Sequence, residues 1–405
     1  MITQNHTGLT ALPAARLLLA AAMVVLASDM AACSRSSPAP ESVIDRAQGL
    51  AQYAFTAADG SYPYAGLTQG RDGNLYGTTL SGGANNAGTV YRLAPGGTPT
   101  TLYSFGANNT DGASPYSALV QGSDGNFYGT NSANGANGKG TVFQITSSGA
   151  LTTLHAFGAG SDGAEPSGTL VQGRDGSFYG TTQTGGAYGG GTLYKITPSG
   201  VITTLYSFGG VANDAAGPYA GLVQGSDGNF YGTTPLGGAN GEGTVFKLTP
   251  AGDFTILYSF SAIAADRNAD GALPYAGLVQ GGDGNLYGVT SYGGAKNFGT
   301  VYRITTAGGF TTLYSFSGAA DGAHPRAGLI DGGDGSFYGT ASGGGANNLG
   351  TAFKITPNGT LSTLYAFGAN AADGASPYGA LLKASNGGLY GTTLGSGLGT
   401  IYRLK

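Results

Sequence analysis

One segment of about fifty residues occurs seven times in this chain, and this repetition constrains the fold more than any other feature. Its clearest copy, residues 218–260, reads PYAGLVQGSDGNFYGTTPLGGANGEGTVFKLTPAGDFTILYSF. Successive copies begin 52, 51, 52, 56, 51 and 52 residues apart. They start at Pro63, Pro115, Pro166, Pro218, Pro274, Pro325 and Pro377. A unit of this length cannot bury both of its faces alone, so neighbouring copies have to stack on one another.

Each copy contains four runs rich in β-branched and aromatic residues, separated by clusters of Gly, Asp, Asn and Pro. In the fourth copy the runs are PYAGLVQG, NFYGTT, GTVFKLT and FTILYSF, which are too short for helices and lack a helical period. Asp-Gly separates the first two runs in six copies, and Asn386-Gly387 does so in the seventh; both pairs are typical of tight hairpins. Each copy is therefore predicted to form a four-stranded antiparallel meander.

Radial stacking of seven such units predicts an all-β fold, a seven-bladed β-propeller with four antiparallel strands per blade. The last copy supplies only three runs before Lys405. The segment LAQYAF, Leu50 to Phe55, precedes the first copy and resembles the absent fourth strand. Its pairing beside Gly399 to Leu404 would complete the seventh blade and remove an exposed sheet edge.

The motifs DGxxP, YAGLVQGxDGNxYGTT, GGAxxxGTVY and TPxGxxTTLYSF resemble the Gloeo/Verruco (GloVer) tandem repeat of bacterial choice-of-anchor proteins. The resemblance covers residues 50 to 405 approximately. It implies an exported bacterial repeat protein that is held at the cell envelope by one of several interchangeable anchors. It implies no activity, no cofactor and no catalytic residues.

Residues 1–32 are predicted to be a signal peptide. Arg16 precedes the apolar run Leu17 to Ala27, which suits a signal sequence and is too short to span a bilayer. The only cysteine, Cys33, follows Met30-Ala31-Ala32 in a pattern that resembles a lipoprotein box, so Cys33 is the predicted lipidation site. The alternatives are ordinary cleavage and an uncleaved anchor. Residues 33–48 are polar and are predicted to be a flexible tether, which leaves residues 49–405 for the propeller.

The predicted location is the outer membrane or cell surface, because Ser34 stands where an aspartate would resemble an inner-membrane retention signal. Without the lipid, the protein would be periplasmic or secreted. A net charge of −4 and the absence of a basic cluster disfavour nucleic acid as a partner. A single cysteine excludes an internal disulfide, so closure has to rest on strand pairing and packing. We expect a monomer whose partner is an envelope polysaccharide or protein of unknown identity.

Thirteen of the 21 acidic residues recur in glycine-rich loops. Seven lie four residues before a repeat proline, namely Asp59, Asp111, Asp162, Asp214, Asp270, Asp321 and Asp373. Six lie in the first hairpin turn, namely Asp72, Asp124, Asp175, Asp227, Asp283 and Asp334. Asp in such loops commonly accepts hydrogen bonds from its own backbone. Calcium, the alternative, needs about six to eight converging oxygens, so we expect neither a metal site nor a cofactor.

The third run carries a long polar side chain at one position of every copy. The residues are Arg92, Gln144, Lys195, Lys247, Arg303, Lys354 and Arg403. Such a side chain can lie over a neighbouring tyrosine or pair with a turn aspartate while its head stays in water. We therefore interpret these cations as structural, with a dedicated anion site as the alternative.

The residue after each repeat proline is predicted to lie at the mouth of the central channel, because the first strand is nearest the axis. Five copies have tyrosine there, and the other two have Ser167 and Arg326. The predicted ligand-binding residues are Tyr64, Tyr116, Tyr219, Tyr275, Tyr378, Arg326 and His324. A tyrosine ring suits a sugar or an extended peptide, so we predict a neutral polymer held by Tyr219 and Tyr275 and oriented by Arg326. The alternative is that the rings wedge between blades.

Catalysis would need polar residues that break the repeat symmetry. These are Glu165, Glu242, Asp266, Arg267, His324, Arg326 and Asp331. Glycoside hydrolysis needs two carboxyl groups roughly 5 to 9.5 Å apart, and the spacing of these acids shows no convergent pair. No catalytic residue is predicted. We interpret the chain as a non-enzymatic binding or scaffold module, with a carbohydrate-active hydrolase as the alternative.

Overall fold

The computed structural model describes residues 51–158, 161–264, 268–370, 372–395 and 397–404. Their regular structure consists of β-strands, arranged as seven antiparallel sheets with four principal strands each. These sheets are the blades of a seven-bladed β-propeller, which confirms the predicted fold. The signal peptide, Cys33 and the tether predicted at residues 33–48 lie outside the described residues. No helix long and apolar enough to cross a membrane occurs in the described part of the chain.

Strand order follows the chain in six blades, from the innermost first strand outward, and in the seventh blade the fourth strand comes from the beginning of the described chain. The first strands are Thr68–Gln69, Val120–Gln121, Val171–Gln172, Val223–Gln224, Val279–Gln280, Ile330–Asp331 and Leu382–Lys383. The second strands are Leu75–Thr79, Phe127–Asn131, Phe178–Thr184, Phe230–Thr234, Leu286–Thr290, Phe337–Ala341 and Leu389–Thr393. The first strands are therefore much shorter than the second.

The third and fourth strands form the outer half of each blade. The third strands are Thr89–Leu93, Thr141–Ile145, Thr192–Ile196, Thr244–Leu248, Thr300–Ile304, Thr351–Ile355 and Thr400–Leu404. The fourth strands are Pro99–Ser104, Leu151–Ala156, Ile202–Ser207, Phe254–Ser259, Phe310–Ser315 and Leu361–Ala366, with Ala51–Ala54 in the seventh blade.

The first run of each copy was predicted to be a strand over its whole length, and this prediction is wrong. Only its last residues pair with the second strand, as Thr68 and Gln69 do in the first blade. Proline has no N–H to donate. The small residues after it pack directly on the neighbouring blade, so that a Cβ on Gly66 would lie 2.6 Å from the carbonyl oxygen of Ala380. The inner part of each run therefore makes contacts around the axis instead of a sheet ladder.

The ring is closed by a strand from the beginning of the described chain. Ala51–Ala54 pairs antiparallel with Thr400–Leu404, and the Phe55 N–H donates to the carbonyl of Gly399 at 3.0 Å. The seventh blade thus obtains its fourth strand from the segment that precedes the first blade. The predicted closure is confirmed, because the edge of Thr400–Leu404 is covered.

Each boundary between blades, here called a seam, is filled by aromatic and aliphatic side chains from both blades. The Tyr76 ring of the first blade lies 4.0 Å from the Phe127 ring of the second. The closing seam is built in the same way, since Phe55 and Tyr91 belong to one buried cluster with Tyr390. Burial of these rings supplies the main driving force that holds neighbouring blades together.

A crossover loop leads from the fourth strand of one blade to the first strand of the next. Each crossover loop makes a pairing that was not predicted from the sequence. The loop pairs with the end of the second strand of the next blade, or with the segment that follows this second strand. Three blades form short ribbons there, Ala164–Pro166 with Phe178–Thr184, Ala215–Ala216 with Leu236–Gly237 and Asn268–Ala272 with Tyr292–Gly294. The other four form single bridges, Ser61 to Ser81, Ala113 to Ala133, Ala323 to Gly343 and Ala375 to Gly395. These pairings attach each crossover loop to the blade that follows it in the chain.

Candidate functional site

The two ends of the propeller carry different loops, because the strands of each blade alternate in direction. The crossover loops and the loops between second and third strands lie at one end, which we call the crossover end. The tight Asp-Gly turns lie at the other, which we call the turn end. The residues after the repeat prolines belong to the crossover end.

Five tyrosines meet at the axis of the crossover end. The ring centroid of Tyr64 lies 5.1 Å from that of Tyr116 and 5.2 Å from that of Tyr378. The Tyr219 ring lies 6.4 Å from that of Tyr116 and 5.7 Å from that of Tyr275. These separations are those of aromatic rings in direct contact. The five residues are half-buried and form a continuous aromatic surface.

Arg326 completes this arrangement between the fifth and seventh blades. Its guanidinium carbon lies 5.3 Å from the ring centroid of Tyr275 and 5.4 Å from that of Tyr378, which is cation–π distance for both. The whole residue is only 9% exposed. We call the five tyrosines and Arg326 the axial cluster. Ser167, at the same position of the third blade, is buried and its Oγ donates to the Tyr219 carbonyl at 3.2 Å.

The phenols of Tyr116 and Tyr219 in the axial cluster stay protonated at neutral pH. Burial, together with the neighbouring Tyr64, raises the pKa of Tyr116 to about 12. Burial also raises the pKa of Tyr219 well above its usual value, and Tyr64 and Tyr116 add to this effect while Arg326 opposes it. The Tyr219 hydroxyl is buried and lies beside the Tyr64 side chain. The cluster thus presents ring faces, neutral hydroxyl groups and one cation.

The structure brings together six of the seven predicted ligand-binding residues, and it does not place the seventh, His324, with them. The His324 ring lies 4.7 Å from the ring of Tyr292 and 5.6 Å from that of Phe298. Its Nδ1 is 2.9 Å from the carbonyl oxygen of Ser291. His324 therefore packs on the fifth blade at the seam between the fifth and sixth blades. Whether any of the seven residues binds a ligand stays a prediction.

The tyrosines of the axial cluster are not the rings that fill the seams. They contact one another across blade boundaries at the axis, whereas the seams are filled by the tyrosines of the second strands, such as Tyr76. The axial contacts also join neighbouring blades, so a packing role and a binding role of these rings both stay predictions.

The residue before each repeat proline has a left-handed backbone conformation. This conformation directs the residue after the proline toward the axis. The residues before the prolines, with φ between 53° and 62°, are Tyr62, Ser114, Glu165, Gly217, Leu273, His324 and Ser376. Every other non-glycine residue with positive φ in the described ranges is asparagine, which tolerates this region well. The backbone N–H of each donates across the seam, to the carbonyls of Leu398, Ala87, Lys139, Gly190, Glu242, Phe298 and Leu349 in chain order. Each proline is thereby fixed on the preceding blade. This bond could not be predicted from the sequence, because the residue types before the prolines differ from copy to copy.

The aspartates of the crossover loops have a structural role, as predicted. Each also pairs with an aromatic side chain of the preceding fourth strand. Asp111 accepts hydrogen bonds from the N–H of Ala107 at 3.1 Å and from the Tyr103 hydroxyl at 2.9 Å. Burial and this carboxylate raise the pKa of Tyr103 to about 12. The same pairing occurs in all seven loops, as Tyr53 with Asp59, Tyr103 with Asp111, His155 with Asp162, Tyr206 with Asp214, Tyr258 with Asp270, Tyr314 with Asp321 and Tyr365 with Asp373. The pair links each fourth strand to the loop that leaves it.

The turn end carries the predicted pairs of aspartate and long side chain. Lys195 lies 2.7 Å from Asp175, and Lys354 lies 2.9 Å from Asp334. Hydrogen bonds from Lys354 and from Tyr338 lower the pKa of Asp334 to about 2. Both interpretations, turn-capping aspartates and structural cations, are confirmed at these residues. Within the described ranges, no group of three or more His, Cys, Asp and Glu side chains is placed to hold a metal ion.

The symmetry-breaking acids are dispersed. The Glu165 N–H bonds the carbonyl of Lys139, which places Glu165 at the seam of the second and third blades. The Glu242 carbonyl accepts from Leu273 at the seam of the fourth and fifth blades, and burial raises the pKa of its side chain. Asp331 is exposed at the turn end. Asp266 and Arg267 lie outside the described residues.

Comparison with known proteins gives a family and a fold. The model of a repeat family described as "Gloeobacter/Verrucomicrobia repeat" matches residues 44–226, 107–268 and 218–405, which confirms the resemblance seen in the motifs. No curated protein matches the sequence.

Among solved structures, one described as a streptogramin B lyase is 20% identical, with a TM-score of 0.60, and the match covers 86% of this chain and 94% of that one. A virginiamycin B lyase from Staphylococcus aureus is 19% identical with a TM-score of 0.57, covering 84% and 95%. An extracellular domain of a hybrid two-component system of B. thetaiotaomicron is 12% identical with a TM-score of 0.57, covering 87% of this chain and 39% of that one. At these identities the likeness shows the fold alone.

Proposed function

The chain belongs to the Gloeobacter/Verrucomicrobia repeat family, and on this premise we propose that it is an exported, lipid-anchored protein of the cell envelope that binds a polysaccharide at the crossover end of its propeller. In this proposal it is a binding module and not an enzyme. The observation that supports it most is the axial cluster, in which six of the seven blades contribute a tyrosine or an arginine to one surface.

The chemistry of the axial cluster suits a carbohydrate. Sugar rings have an apolar face and a rim of hydroxyl groups, and tyrosine offers an apolar ring with a polar tip. The rings of Tyr64 and Tyr275 are half-buried, so they are held in place while part of each faces solvent. Side chains that are already fixed lose little conformational entropy when a ligand binds. A polymer lying over this end could contact several rings at once.

Hydrolysis of a carbohydrate is the weaker alternative. Glu165 and Glu242 lie at different seams, and the aspartates of the crossover loops and turns are engaged by nearby hydroxyl, amide and ammonium groups. Two of the similar structures are described as lyases, but their likeness to this chain extends to the fold and not to a set of residues. No particular observation favours catalysis, and we propose binding alone.

The binding role is tested with polysaccharides extracted from the envelope of the producing bacterium. The mature protein is expected to bind at least one fraction, and the double variant Tyr275→Ala, Arg326→Ala should weaken binding at least about tenfold, as loss of central aromatic and arginine contacts commonly does. The matched control is Tyr188→Ala, because Tyr188 is 64% exposed and lies in an outer loop of the crossover end. Unchanged affinity in the double variant, with an unchanged melting temperature, would place the binding site elsewhere.

The anchor is tested by fractionation of cells that express the full chain. Wild-type protein should appear in the membrane fraction and incorporate labelled fatty acid, because two or more acyl chains are needed for stable anchoring. Cys33→Ala should shift the protein to the soluble envelope fraction. Cys33→Ala protein that stays in the membrane fraction at the wild-type level would contradict lipid anchoring at this residue.

A further inference from the structure

We propose that the centre of the axial cluster is a subsite for a carboxylate group carried by an acidic sugar residue, which the Arg326 guanidinium and the Tyr219 hydroxyl bind together. This inference rests on the proposed binding of a polysaccharide and specifies its chemistry. It departs from the neutral polymer that the sequence alone suggested, because the sequence could not show that Arg326 is buried at the axis.

The first support is the charge of the segments that surround the axis. Seven five-residue segments, each from a repeat proline to the leucine four residues later, form the innermost part of the molecule. They are residues 63–67, 115–119, 166–170, 218–222, 274–278, 325–329 and 377–381. Together they contain one cation, Arg326, and neither Asp nor Glu. The formal charge of this innermost layer is therefore +1, which favours an anionic group at the axis.

The second support is the environment of the Arg326 guanidinium. The group lies over the rings of Tyr275 and Tyr378, and the residue is 9% exposed. Interactions of a charge with an anion are stronger where solvent is largely excluded. The guanidinium is planar, and its N–H groups match the two oxygens of a carboxylate. Two aromatic rings lie beside it and leave little room for solvent.

The third support is the hydroxyl of Tyr219. It is buried beside the Tyr64 side chain, and it is close enough to Arg326 for this cation to oppose the rise of the Tyr219 pKa. The Tyr219 ring contacts that of Tyr275, on which the Arg326 guanidinium rests. A carboxylate at the axis could accept from this hydroxyl while it pairs with the guanidinium. The tyrosine rings around it would then contact the sugar ring that carries the acid.

The experiment measures binding of matched trisaccharides to the full mature protein by calorimetry. The acidic probes are trimers of glucuronic, galacturonic and mannuronic acid, and the neutral probes are the corresponding hexose trimers with the same linkages. We expect at least one acidic trimer to bind about tenfold or more tightly than its neutral counterpart, because hydrogen bonds to charged groups contribute more than those between neutral groups. Inorganic phosphate and acetate serve as competitors.

Two variants separate the subsite from the surface around it. Arg326→Gln should remove the preference for the acidic trimer, so that the acidic and neutral trimers bind with similar affinity. Tyr219→Phe keeps the ring and removes only the hydroxyl, so it should fold normally and lower the affinity for the acidic trimer about fivefold to tenfold. Tyr188→Phe is the matched control and should change neither affinity.

The outcomes distinguish this inference from the broader proposal. Equal affinity for acidic and neutral trimers would overturn the carboxylate subsite and leave the binding role intact. Binding of neither class would overturn the subsite too, while the extracted polysaccharides test the binding role independently. Competition by phosphate as effective as that by acetate would show a general oxyanion site, which also contradicts the proposal. A Tyr219→Phe variant with wild-type preference would exclude the hydroxyl from the subsite.

Discussion

At the third residue of every third strand, an aromatic ring lies over the glycine of the second strand. A Cβ on Gly129 would lie 2.6 Å from the Phe143 ring, which explains why the motif YGT has glycine at its centre. The ring belongs to tyrosine in four blades and to phenylalanine in three, namely Tyr91, Phe143, Tyr194, Phe246, Tyr302, Phe353 and Tyr402. All four tyrosine hydroxyls are buried without a hydrogen bond to a described residue. Burial raises the pKa of each, so these groups stay neutral.

Replacing one of these tyrosines by phenylalanine is expected to stabilise the protein. Tyr91→Phe should raise the free energy of unfolding by about 1 kcal/mol, because it removes an unsatisfied hydroxyl and keeps the ring. The midpoint of urea denaturation, followed by circular dichroism, measures the change. Phe143→Tyr is the reverse control and should lower the midpoint. A lower midpoint for Tyr91→Phe would mean that its hydroxyl has a partner in solution.

Local residue roles could be predicted from the sequence, whereas contacts between blades could not. The turn aspartates act within a few residues of themselves, as Asp334 does with Ser336, and their hairpin signal is sufficient. The left-handed residue before each proline depends on a carbonyl in another blade, so Leu273 carries no sign of it. The burial of Arg326 likewise depends on the two tyrosines beside it, from the fifth and seventh blades.

Among the strands, the closing strand depends most on contacts distant in sequence. Ala51–Ala54 pairs with Thr400–Leu404, and Phe55 contributes its ring to the same seam. The sequence predicted this pairing because the last copy lacks a strand that the first segment resembles. It did not predict the shortness of the innermost strands, since backbone contact around the axis follows from closure of the ring and not from the pattern of one copy.

Deletion of Leu50 to Phe55 should expose the edge of Thr400–Leu404 and open the seam between the seventh and first blades. Loss of several buried rings and of a full strand pairing is expected to lower the melting temperature by more than 10 °C and to promote aggregation. Calorimetry and size-exclusion chromatography measure both effects. A deletion of the same length in the tether, residues 36–41, is the control. A truncated protein that stays monomeric with the control's melting temperature would contradict closure by this strand.

For the whole molecule, seven similar blades create one surface that no single blade contains. The axial cluster includes a contact between Tyr116 of the second blade and Tyr219 of the fourth. This contact is possible because the third blade, which lies between them, has the small residue Ser167 at the same position. Repetition made the architecture predictable, since each copy gives the same signal. The cluster's geometry was not predictable in the same way, because it depends on where seven segments converge after the ring has closed.

The measurement that tests the central claim most directly is tyrosine footprinting of the unmodified protein. Nitration of its 25 tyrosines, read by mass spectrometry with and without a bound envelope polysaccharide, reports which rings the polymer covers. We predict that Tyr64, Tyr275 and Tyr378 become several-fold less reactive, while the exposed Tyr188 keeps its reactivity. Unchanged reactivity of the three axial tyrosines, with protection of Tyr188 or of tyrosines near the turn end, would contradict binding at the axial cluster.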